Sequence, residues 1–130
     1  GEPVGMACNS FTSVSLEPPL VLFCAAYSSS TWARIERAGH YCVNFLAEDC
    51  EQLCRTFAAK ADDRFAGLGW RAAVTGAPVL DASTAYADCE IEAVHDAGDH
   101  AIVVGRVLEL GHRDGKPLLF YRGGYGHYEA

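Results

Sequence analysis

Basic residues are scarce in this sequence: 10 lysines and arginines stand against 17 aspartates and glutamates among 130 residues, a net charge of −7. Nucleic acids and anionic membranes need a basic face that such a chain does not offer, so neither is expected as a partner. Long apolar runs are also absent. None reaches the roughly 20 residues that span a bilayer, and no signal peptide is visible. The chain opens at Gly1-Glu2-Pro3 directly onto an apolar segment, so its natural N-terminus is expected to lie further upstream. No G-x-G-x-x-G, no P-loop and no G-x-S-x-G pattern occurs, which argues against Rossmann, nucleotide-hydrolysing and α/β-hydrolase readings. Repeats, linkers and low-complexity stretches are lacking as well, leaving one domain over residues 1–130.

What is present is apolar. Half of the residues are hydrophobic, enough to close a core in a chain of this length. Six cysteines are distributed along it, at 8, 24, 42, 50, 54 and 89, most of them inside apolar runs such as Leu20-Val21-Leu22-Phe23-Cys24. That placement reads as small buried hydrophobes with free thiols, in a reducing, cytoplasmic compartment. Cys50 and Cys54 stand four apart on a predicted helix, but no second pair with ligand spacing accompanies them, so no metal is expected.

The periodicity predicts a strand over 3–9, a polar segment from Ser10 to Glu17, and a strand buried on both faces over 20–25. The run Ser28-Ser29-Ser30-Thr31 offers N-caps for a helix over 31–38, closed by Gly39. Residues 41–46 alternate as a strand. A second helix fits 48–59, with Glu48, Asp49 and Glu51 early, Arg55 and Lys60 late, and Leu53 and Phe57 on its inner face. Farther on, Cys89, Ile91 and Ala93 alternate with Asp88, Glu90 and Glu92, predicting one buried and one wet face. The turn Asp96-Ala97-Gly98-Asp99 then returns the chain as an antiparallel partner over 101–110. Gly105 in the middle of that strand predicts a bend or a close backbone approach. After the Asp114-Gly115 turn a last strand fits 117–122. Some six strands and two short helices predict a mainly β fold: an antiparallel split β-barrel of Greek-key type with two or three short helices.

Four segments could carry chemistry. Gly5 to Ser15 joins an apolar strand to a dense run of uncharged donors and acceptors, the surface a flat heteroaromatic ligand requires; its plain reading is a polar loop leaving a strand. Ser28 to Thr31 at a helix start could hold a phosphate without any lysine; its plain reading is N-capping alone. A ligand with a ring at one end and a phosphate at the other could touch both. His100, just past a tight turn and beside acidic residues, reads as a base or as a satisfied surface histidine. Tyr121-Arg122-Gly123-Gly124-Tyr125 places an arginine between aromatics, able to stack on a base or pair with pyrophosphate, or merely to close the barrel end.

Together these residues resemble the flavin reductase-like, FMN-binding split β-barrel family, and more narrowly the short-chain reductase components of two-component flavin-dependent monooxygenases. The matching stretches are Pro3 to Val21, Ser30-Thr31-Trp32 with Ile35, Tyr41 to Leu46, Asp63-Arg64-Phe65-Ala66-Gly67, Gly98-Asp99-His100 and Pro117 to Gly123. They run through nearly the whole chain in order. The resemblance implies FMN or FAD against the first two strands. Gly5, Met6, Ala7, Asn9 and Ser10 would border ring and ribityl chain. Cys24 and Ala25 would add backbone contacts, Ser30 and Thr31 would hold the phosphate, and Phe57 would close the side. It further implies NADH or NADPH at His100 and at the Phe120, Tyr121, Arg122 and Gly123 segment. The expected activity is an NAD(P)H:flavin oxidoreductase that supplies reduced flavin to a partner monooxygenase; a flavin carrier or sensor without reductase activity is the alternative. A homodimer is a family expectation. Two departures stand out. Family members usually carry a helix and a strand upstream of Pro3-Val4-Gly5, where this chain begins, and Thr56 stands where an arginine is common.

Overall fold

The computed structural model describes residues 2–8, 10–59 and 64–127. Along the chain the elements are β1 (Thr12–Leu16), β2 (Pro19–Ala26), α1 (Ser30–Ala38), β3 (His40–Leu46), α2 (Glu51–Ala58), β4 (Trp70–Ala72), β5 (Pro78–Leu80), β6 (Ser83–Ala97), β7 (His100–His112), β8 (Leu118–Tyr121) and β9 (Gly124–His127). One sheet of five strands has the order β1-β2-β7-β6-β3, and β4–β5 and β8–β9 form two-stranded ribbons. Every pairing is antiparallel. The expected mainly β, antiparallel class is what forms, with two helices among the described residues.

The centre of the sheet follows from β2 and β7. Phe23 and Ala25 alternate inward with Ala101 and Val103, all at most 6% exposed, as period-two patterning demands. Phe23 meets Tyr41 edge-on at 4.9 Å and Trp32 of α1 at 6.1 Å, so α1 is fixed by one ring. Gly105 closes this packing: a Cβ there would collide with the Tyr41 hydroxyl, which is the close approach the sequence predicts. Burial pushes the Tyr41 phenol well above its usual value.

Two ribbons complete the body. Asn44 of β3 receives the Leu80 N–H at 2.9 Å and donates to the Pro78 carbonyl at 3.0 Å, pinning β5 to the sheet. Asp88 is fully buried, contrary to the wet face expected of it. The reason is the β4–β5 turn, whose Thr75 donates to the carboxylate from its N–H (2.9 Å) and its hydroxyl (2.7 Å). Residues 118–121 form the expected last strand, but Arg122-Gly123 is the turn of a hairpin with β9, both residues having positive φ (52° and 78°). That is the geometry of a tight two-residue hairpin turn, where the sequence suggests a loop.

Other boundaries differ in instructive ways. Described residues of the predicted strand 3–9 are not a strand; β1 lies later, within the segment read as polar loop. The helix predicted over 48–59 starts at Glu51 behind Cys50, which makes no side-chain cap bond. Helix α1 ends as expected, on Gly39 at φ 82° with its N–H on the Ile35 carbonyl. All six cysteines are free; Cys89 is buried but Cys8 is exposed.

Candidate functional site

The first functional segment packs under α2. The Ala7 N–H reaches the Phe57 carbonyl at 3.3 Å, and a side chain at Gly5 would strike the Phe57 ring at 2.8 Å and Phe65 at 3.3 Å. Glycine is therefore required at position 5 by the ring beneath it. Phe57 itself is buried, edge-on to Phe65 at 5.1 Å, so it supports the segment from below. Ser10 fastens the segment to β2: its hydroxyl accepts the Cys24 N–H at 3.0 Å and donates to the Cys24 carbonyl at 3.2 Å. The outward backbone groups of Cys24 are thus held by Ser10, and Ala25 is a core residue. Asn9 and Asp63 lie outside the described residues.

Helix α1 begins at the end of β2. Ser29 is the N-cap, accepting from Trp32 N–H at 3.1 Å, and Met6 Sδ lies 4.0 Å from its hydroxyl. Ser30 and Thr31 are the first two helical residues, whose N–H groups have no carbonyl a turn behind them. A cation stands beside them. Arg64 donates through Nη1 to the Gly5 carbonyl at 2.6 Å and to Thr31 Oγ1 at 3.4 Å, and through Nε and Nη2 to the Ala59 carbonyl. One guanidinium thereby joins the first segment, the start of α1 and the end of α2. Arg64 falls in one of the stretches that carry the family resemblance, but its place beside Thr31, 33 residues away, is not local in the sequence.

His100 is brought to the same end of the sheet. It pairs with Ala26 across β2–β7, one residue before the loop into α1. The Tyr27 hydroxyl bonds Asp96 Oδ1, and the Tyr27 N–H donates to the Asp99 carbonyl at 3.0 Å, so the hairpin and that loop are tied together. His100 Nδ1 lies 2.7 Å from Asp99 Oδ1, which holds the Asp99 carboxyl below the usual carboxylate range. A neutral His100 then carries its proton on Nδ1 and presents Nε2 as an acceptor.

The predicted nicotinamide segment stands apart from His100, on the separate β8–β9 ribbon. Phe120 stacks edge-on with Tyr125 at 5.2 Å; Tyr121 belongs to β8 and Arg122-Gly123 to its turn. The ribbon is held to α2, with Arg55 4.6 Å over the Tyr125 ring and the Tyr125 hydroxyl on Cys54 Sγ at 3.6 Å. Thr56, at the position where the resembled family commonly has an arginine, turns its hydroxyl back to the Gln52 carbonyl at 3.0 Å. Among the described residues no group of side chains could hold a metal ion.

The antiparallel fold is that of solved flavin reductases. The chain belongs to the flavin reductase like domain family, which matches residues 1–129. It is 52% identical over 126 residues to the reductase subunit of a flavin-dependent monooxygenase from Rhodococcus jostii (strain RHA1), covering 96% of this chain and 65% of that protein. The chain thus spans about two thirds of that relative's length. The solved nitrilotriacetate monooxygenase component B from Mycobacterium thermoresistibile superposes with a TM-score of 0.96 at 46% identity, covering 99% of this chain and 74% of that one. An NADH:FAD oxidoreductase of Streptomyces globisporus, solved with NAD and FAD fragments, gives 0.91 at 31% identity, over 97% and 81% of the two chains.

Proposed function

We propose that this chain is an NAD(P)H:flavin oxidoreductase that takes FMN or FAD and passes reduced flavin to a separate monooxygenase. The observation that carries the reading is Arg64 at the start of α1, in a chain of this family. A flavin monophosphate needs a cation, hydroxyls and free backbone donors at one point, and Arg64, Thr31 and the first N–H groups of α1 supply that set. Gly5, Met6 and Ala7 are half-buried and uncharged, which suits the face of a flat ring, and Ser10 continues that border. Ser30 stands with Thr31 at the phosphate.

Bound flavin supplies the hydride-accepting chemistry. The chain's own part is to orient and to exclude water. His100 Nε2, oriented by Asp99, is the acceptor offered to the nicotinamide nucleotide, and the segment Phe120, Tyr121, Arg122 and Gly123, on the separate β8–β9 ribbon, is a second contact on the strength of the family resemblance. No described residue has to move a proton for hydride transfer; positioning carries the rate. A homodimer is carried over from the family resemblance. The six free thiols fit a reducing cytoplasm, and no described helix is long and apolar enough to cross a membrane.

The test is anaerobic mixing of the purified protein with FMN or FAD and NADH or NADPH, following the visible flavin band. Catalytic bleaching is the expected result. Flavin binding without bleaching turns the chain into a carrier or sensor, and failure to bind either flavin overturns the reading.

A further inference from the structure

The far end of the β6–β7 hairpin holds a second depression, of about 280 Å³, closed on one side by the β4–β5 ribbon. Arg71, Tyr86, His112 and Arg113 stand around it, over Val79 and Leu80. Both guanidinium groups are positioned in advance. Arg71 lies 5.1 Å over the Tyr86 ring, and that ring rests where a Cβ at Gly111 would collide with it. Arg113 is pinned by Nε on the Ser83 carbonyl at 2.9 Å and by its N–H on the Thr84 carbonyl at 2.8 Å.

Neither arginine has a carboxylate partner among the described residues, whose ion pairs are Arg55–Glu51 and His100–Asp99. Asp81 also lines the depression, but its carboxylate is laid over the backbone of Gly69, filling the space of the missing Cβ. In a chain of net charge −7, two guanidiniums outside any ion pair border one hollow; the carboxylates nearest them are Asp81 in the lining and Glu109, whose charge acts on Arg71. Arginine forks match carboxylate and phosphate heads, and their fixed positions reduce the ordering that binding requires.

We propose that this depression binds a small amphiphilic organic anion, with its carboxylate or phosphate head between Arg71 and Arg113 and a short apolar body against Val79 and Leu80. The site is independent of the flavin reading. β7 has 13 residues, so at about 3.3 Å per residue His100 and His112 are on the order of 40 Å apart along the strand.

Hexanoate and hexyl phosphate, titrated separately by calorimetry into the protein without flavin or nucleotide, are the probes. Saturable binding of either, at about millimolar affinity or tighter, weakened about tenfold or more in Arg71→Gln/Arg113→Gln, supports the site, and the probe that binds identifies the head group. Inorganic phosphate is expected to bind more weakly than hexyl phosphate; equal affinity overturns the amphiphilic ligand. No saturable binding of either probe overturns the proposal. So does unchanged affinity in the double variant, provided it keeps a cooperative thermal transition. If it does not, Arg71→Lys, which keeps the charge but loses the planar fork, takes its place, with weaker binding expected and unchanged affinity decisive against.

Discussion

One hairpin, β6–β7, ends in two places that differ in charge and in construction. At the His100 end the turn is two residues long, Gly98-Asp99, and carboxylates surround it: Asp96 holds Tyr27 and Asp99 holds His100. At the His112 end, arginines line a hollow roofed by a second ribbon. The net charge of the chain describes neither end. In the proposed function the one cation for a phosphate on the acidic side is Arg64, which comes from a different part of the chain and joins Thr31 and the start of α1. Local donors can therefore hold a dinucleotide on a protein whose overall field repels it, because screening confines exposed charges to about 10 Å.

The contrast between the ends can be broken at their shared brace. Gly105→Val places a side chain against the Tyr41 hydroxyl and Cys89, and overpacking of this kind costs about 1–3 kcal/mol. Chemical denaturation should show that loss, with flavin and hexanoate binding both impaired; a wild-type midpoint would mean that the two ends do not depend on a common core. Arg64→Ala should weaken FMN affinity about tenfold to a hundredfold, the worth of one charge-assisted hydrogen bond, and leave hexanoate binding unchanged. Equal loss of both ligands would show a global effect instead. His100→Ala should raise the KM for the nicotinamide nucleotide about fivefold with little change in flavin Kd, and unchanged kinetics would remove His100 from the site.

The smallest effect concerns pH. Burial pushes the Cys42 thiol up to about 12 and the Cys89 thiol up to about 11. Both native values lie above the ordinary thiol range, so the folded state keeps protons that the unfolded chain releases. Stability is then fully present below about pH 9 and declines as pH rises through about 11. Denaturation midpoints measured across that window should fall, and Cys89→Ala should flatten part of the slope; an identical slope would assign the alkaline loss to other groups.

The elements legible in the sequence are those with a buried face and a marked end. β2, β3 and β7 show period two, and α1 is bounded by Ser29 and Gly39. β1 was hidden because it is an edge strand with four of its five residues exposed, so no inward alternation exists to read. β4 and β5, three residues each, are too short for any period to register. Pro3 to Ala7 has strand-like composition, but its partner is the end of α2. Asp88 misled because a carboxylate reads as wet until the hairpin turn that covers it is known. The geometry of the proposed site was legible where the chain is local, in the N-cap at Ser29 and the Asp99–His100 pair. Arg64 and the Ser10–Cys24 clamp depend on contacts between distant segments, which no window of sequence contains.

The strand order β1-β2-β7-β6-β3 has a consequence for synthesis. Cys24 and Ala26 pair with Ile102 and His100, so the first half of the proposed site waits for a strand made long after β2 itself. Until β7 leaves the ribosome, β2 lacks its central neighbour and its apolar face stays uncovered, a state that favours association with other nascent chains. Bound flavin cannot template that early stage, because the pairing that sets His100 beside the start of α1 does not yet exist. If flavin binds at the proposed site, its loading follows the synthesis of β7, and a product truncated before β7 should carry none.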